Sequence, residues 1–111
     1  MTVVATRTPT TSASRYLQQL AKHWSHKMPV SFDADAGTID FPNGTRLAMR
    51  AAPEALHCIL TVPDGEDAEQ MLGVVTRHLD RFAFREAPLT FEREGGEGEE
   101  PGPPDGSDPL S

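Results

Sequence analysis

Side chains able to do chemistry gather at two places in the chain, Lys22-His23-Trp24-Ser25-His26-Lys27 and His78-Leu79-Asp80-Arg81-Phe82-Ala83-Phe84-Arg85-Glu86. His23 and His26 are three residues apart, so both rings can project from one side of a helix. His23 and His78 each fall at the border of an apolar helical stripe, and two helices packed side by side would bring them to a shared groove. Imidazoles converging there suit zinc, another borderline metal or an axial position on haem, which makes His23, His26 and His78 the candidate metal ligands. Helical zinc sites usually space their histidines by four with a carboxylate nearby, a pattern not met here. Cations at a helix C-terminus are also favoured by the helix dipole without any ligand. Arg81 and Arg85 add a second chemistry, because two guanidiniums near His78 and Lys22 can hold a carboxylate or phosphate. Against this, Arg85 and Glu86 can simply pair with neighbours to fix the turn into the last strand. The candidate ligand site is therefore His23, His26, His78, Arg81 and Arg85, with Trp24 and Phe82 beneath.

Enzyme signatures are missing from the sequence. No glycine loop is placed to cradle a phosphate, since the GGEGEE and PGPPDG runs lie near the C-terminus. No Ser or Cys stands in a nucleophile motif, and Cys58 falls on an expected core position, where it acts as a small hydrophobe. No catalytic residue and no particular cofactor follow from the motifs.

The elements that would position these residues are legible from periodicity. Thr2 to Arg7 is short and β-branched, a strand ended by Pro9. Thr10, Thr11 or Ser12 caps a helix to about Lys27, with Ala13, Tyr16, Leu17, Leu20, Ala21 and Trp24 as its apolar stripe. Four short strands follow. A three-residue turn at Pro42-Asn43-Gly44, with Gly44 left-handed, sets Phe41 opposite Thr45, Ile39 opposite Leu47 and Asp40 opposite Arg46. A turn at Ala52 to Ala55 then sets Cys58 opposite Met49 and Leu60 opposite Leu47. By side-chain parity one sheet face holds Val30, Phe32, Ile39, Phe41, Leu47, Met49, Cys58, Leu60 and Val62, and the other holds Thr38, Asp40, Arg46, Ala48, Arg50, His57, Ile59 and Thr61. A second helix lies within Asp64 to Glu86, capped by Asp64, its stripe built from Ala68, Met71, Leu72, Val75, Leu79, Phe82 and Ala83. Either it ends near Ala83 or Phe84 packs against a partner. Leu89 to Glu92 makes a last strand. The expected fold is a two-layer α+β domain over residues 1–93, an antiparallel sheet with both helices on its apolar face.

Net charge is −7 over 111 residues, but it is unevenly spread. Six of the seventeen acids and none of the ten bases lie from Glu94 onward, so residues 1–93 carry eleven acids against ten bases. A neutral body without a basic stripe argues against nucleic-acid binding. Residues 94–111, rich in Gly, Pro and acids and poor in apolar side chains, are expected to form a disordered acidic tail. One cysteine excludes an internal disulfide and fits a reducing compartment. No apolar run approaches the length of a membrane span, and the opening MTVVATRTPT shows no export signal, so a cytoplasmic location is expected. Ala48 and Ile59 on the sheet's outer face raise the expectation of a homodimer through that face.

The stretches ASRYLQQLAKHWSHK and HLDRFAFRE, with the Gly-Thr-Ile-Asp-Phe hairpin between them, resemble an uncharacterised bacterial family, the domain of unknown function 2218, over about residues 3–93. Its members often carry a cysteine where this chain has Ala21, so a thiolate site is not expected here. The resemblance implies an iron-uptake setting, with a siderophore-related flavin reductase as partner. The order of elements is similar to the TATA-binding-protein-like fold, which does not itself carry DNA binding over. The expectation is a small accessory or binding module linked to iron or siderophore handling, with a metal- or haem-binding protein using the His cluster as the alternative.

Overall fold

The hairpins around Pro42-Asn43-Gly44 and Pro53-Glu54 organise the sheet, and their turns follow from local chemistry. The structure, a computed structural model, describes residues 1–83, 85–86 and 89–94. At the first turn Gly44 has φ +91°, the left-handed region that glycine tolerates, and its N–H donates to the Phe41 carbonyl at 3.0 Å. Asn43 Oδ1 accepts from the Thr45 N–H at 3.0 Å. The turn sets Ile39 against Leu47 and Asp40 against Arg46, and the latter two form an ion pair at 2.7 Å. The next hairpin pairs Met49 with Cys58 and Leu47 with Leu60. Both registers are those expected from parity.

Eight elements run in the order β1 (Thr2–Pro9), α1 (Ala13–Ser25), β2 (Val30–Phe32), β3 (Ala36–Asp40), β4 (Arg46–Ala52), β5 (Ala55–Val62), α2 (Ala68–Phe82) and β6 (Glu92–Arg93). The strands form one antiparallel sheet in the order β2-β3-β4-β5-β1-β6. Both helices cover the face that carries Ile39, Leu47, Met49, Cys58, Leu60 and Val62, all buried. The protein is thus a two-layer α+β domain of the expected kind. No helix among the described residues is long and apolar enough to cross a membrane.

Several details differ from expectation, each for a local reason. Strand β1 runs through Thr8 and Pro9 rather than stopping at Arg7, because those residues pair with Leu56 and Ala55. Helix α2 is capped by Asp67, not Asp64: its side chain accepts from the N–H groups of Glu69 and Gln70. Asp64 instead receives the Met1 amino group, which lowers its pKa. Ser12 occupies the N-cap position of α1 without a side-chain cap bond, and Thr10 Oγ1 accepts from the Ser12 N–H at 3.0 Å. The last strand is Glu92–Arg93 rather than Leu89–Glu92, pairing with Arg7 and Thr6. Helix α2 ends at Phe82 with Ala83 at its C-cap, and Phe84 lies outside the described residues. The expected tail begins at Glu94, which is described and donates from its N–H to the Ala5 carbonyl at 2.8 Å; the rest of the tail lies outside the described residues.

Candidate functional site

His23 comes from the last turns of α1 and His78 from the last turns of α2, and both are placed by their neighbours' burial. Leu20, Ala21 and Trp24 of α1, with Val75 and Leu79 of α2, sit in the core, so the two helices lie side by side over the sheet. The border positions His23 and His78 then face one another, with ring centroids 5.4 Å apart. Phe82 presents an edge to His23 at 5.7 Å. Trp24 lies beneath, its ring 4.8 Å from His78 and edge-on to Phe41 at 5.0 Å. Four of the expected side chains therefore form one cluster.

One ring nitrogen in this cluster has its role fixed by its partner. His78 Nδ1 lies 2.7 Å from the Val74 carbonyl oxygen, which can only accept, so Nδ1 carries the proton. In the neutral ring Nε2 is then the lone-pair atom; once protonated it becomes a second donor. His23 is exposed as a residue, yet its ring lies against those of His78, Phe82 and Trp24, which displace part of its water. That loss of water lowers its pKa, reinforced by the positive charge of His78, Lys27, Arg81 and His26. An anion entering the groove would meet this positive field.

The remaining candidates are not drawn into the ring cluster. His26 is exposed at the C-cap of α1, and among the described residues no ring contact joins it to His23 or His78. Arg81 is exposed, near enough for its charge to act on His23. Arg85 is exposed beyond the end of α2. Among the described residues no three His, Cys, Asp or Glu side chains are grouped so as to hold a metal ion. Glu86 ties the chain after α2 to the start of α1: Thr10 Oγ1 donates to it at 3.0 Å and the Tyr16 hydroxyl donates to it as well. Burial, and then the Glu86 carboxylate, raises the pKa of Tyr16. Cys58 is buried, and loss of water pushes its thiol up to about 12, which removes it as a nucleophile.

Sequence reasoning missed a second feature, on the opposite side of the sheet. A concavity of about 630 Å³ there is floored by Ala5, Ala48 and Ile59, with Arg50, His57 and Glu94 among its walls. Parity had put Arg50, His57 and Ile59 on this face. The contribution of Ala5 and Glu94 depends on β1 and β6 docking beside β5, a long-range pairing with no local signal.

Comparison with known proteins identifies the relatives. The NMR structure of PA4090 from Pseudomonas aeruginosa is similar to this chain at 33% identity and a TM-score of 0.66, covering 83% of this chain and 96% of that one. No curated protein matches the chain. Residues 5–92 match the family described as uncharacterized protein conserved in bacteria, a span that takes in both helices and every strand up to Glu92. The chain therefore belongs to that family, the domain of unknown function 2218.

Proposed function

We propose that the domain is a small binding module that takes an anionic guest, of the chelate class, in the groove between the C-terminal halves of α1 and α2. The observation that carries this reading is the approach of His23 and His78 from separate helices to 5.4 Å, above Trp24 and Phe82. Protonation turns Nε2 of His78, whose Nδ1 proton is held by the Val74 carbonyl, into a donor for an anionic guest, and does the same for the free ring nitrogen of His23. Arg81 and Arg85 add the charge an anionic chelate needs. The iron or siderophore setting implied by the family resemblance supplies guests of this kind. Two imidazoles beside guanidiniums are groups that hold an anion, and the reading adopted is therefore binding.

Ferric citrate, with citrate alone as control, should change the fluorescence of Trp24, the chain's only tryptophan. The double substitution His78→Ala and Arg81→Ala should abolish that response while leaving the melting temperature nearly unchanged. If the double variant unfolds, the cluster is structural and the reading fails. A second reading, metal or haem ligation by His23 and His78, is favoured by the Val74 carbonyl, since a hydrogen bond on one imidazole nitrogen commonly orients the other toward a metal. The described residues bring together two imidazoles but no third ligand, so other donors would have to come from the guest. Stoichiometric metal or a Soret band in protein purified without additions would select this second reading.

A further inference from the structure

The sheet's outer face carries its own constellation, formed on registers the strands dictate. Thr38, Ala48, Ile59 and Ala5 are successive cross-strand partners from β3 to β1, so one row of mostly small side chains crosses the sheet. Small residues in the middle of a twisted sheet leave a hollow, and the 630 Å³ concavity lies over this row. Ile59 stands in it about half exposed, at 48%. The neighbouring row is Arg50, His57 and Arg7. On this face Arg7 has Glu92 at 3.4 Å, Arg46 has Asp40 at 2.7 Å and His57 has Glu94 at 3.1 Å. Among the described residues Arg50 alone of the three arginines on this face has no carboxylate partner.

We propose that this hollow is a second binding site, which takes a small apolar carboxylic acid with its body on Ala5, Ala48 and Ile59 and its carboxylate on Arg50. The volume falls within the range of small-molecule pockets, which pair an apolar floor with a few placed polar groups; of the charged groups lining this one, Asp33 is engaged by the N–H groups of Asp35 and Ala36 and Glu94 by His57, which leaves Arg50 to meet a guest. A guanidinium without a partner offers a carboxylate two parallel hydrogen bonds. Glu94 already places a carboxylate on His57 at the wall of the hollow, so the same chemistry is satisfied there from within the chain. A concave face also receives a convex guest better than a second concave copy of itself, which would leave a void between the sheets.

The test is an amide NMR titration of the full chain with naphthalene-2-carboxylate, with neutral naphthalene-2-carboxamide as control. The carboxylate should shift the amides of Ala5, Ala48 and Ile59. Arg50→Gln, an exposed change that leaves the core alone, should weaken binding about tenfold. Glu94→Gln should tighten it about threefold by removing a like charge at the wall. The proposal is overturned if the carboxamide binds as well as the carboxylate, if Arg50→Gln has no effect, or if the shifts fall at His23 and His78 instead. It is also overturned if light scattering shows a dimer that Ile59→Asp converts to a monomer, since a second copy then covers the face. The groove between the helices lies on the other side of the sheet, so failure here leaves that reading standing, and the reverse holds.

Discussion

Thr8 and Thr45 bury their hydroxyls on the inner side of the sheet without a hydrogen-bond partner among the described residues. An unsatisfied buried hydroxyl costs about 1–3 kcal/mol, so Thr8→Val should raise stability by about 1 kcal/mol, read as a higher urea midpoint. A lower midpoint would mean that the hydroxyl has a partner in solution. His23 makes the opposite kind of prediction. Its folded-state pKa lies below the ordinary 6.5, so between the two values the unfolded chain binds the proton and the folded chain does not. Stability therefore rises with pH through that window and falls on acidification, and His23→Gln should flatten the dependence of the midpoint on pH. Residue-scale chemistry was only partly legible in the sequence. Helical-wheel position was enough to point His23 and His78 at one another, because a border residue must face the neighbouring helix. It could not reveal that Val74 fixes the tautomer of His78, or that Thr6 and Thr8 point inward from a strand whose partner was unknown.

At the scale of the element, ends and turns carry the specificity. Asp67 caps α2, and Asp67→Ala should lower stability by about 1 kcal/mol, whereas Asp64→Ala should change it much less. The two aspartates are distinguishable only by where the helix starts, which is why the sequence placed the cap three residues early. Glu86 links the far end of α2 to Thr10 and Tyr16 at the start of α1. Glu86→Ala should destabilise by about 1–2 kcal/mol, and a double-mutant cycle with Tyr16→Phe should show non-additivity in urea unfolding. Additive effects would contradict a direct bond between them. Gly37 is needed for closeness rather than for a special turn: a Cβ there would sit 2.9 Å from the Cβ of Phe32 on β2. The hairpin registers were readable because a one-residue slip would have turned Leu47 and Met49 outward. Strands β1 and β6 were misjudged in length because their ends are set by partners distant in sequence, Leu56 and Ala55 for one, Thr6 and Arg7 for the other.

For the molecule as a whole, one layer of helices over one sheet leaves two different surfaces, the seam between helices where His23 meets His78 and a hollow on the bare sheet. The two-layer arrangement was legible because three apolar surfaces, two helical stripes and one sheet face, account for one another. The hollow was not, since concavity arises from how five strands twist together and not from any stretch of the chain. The central claim is that the groove at His23 and His78 is where a guest binds. Imidazole nitrogen–proton NMR of the full chain, titrated with gallium citrate as a diamagnetic chelate, tests it most directly. The His23 and His78 ring signals should move together and saturate, with His78 keeping its Nδ1 proton, while the His57 signal stays in place. Movement of His57 alone, or of no imidazole at saturating chelate, would contradict the account.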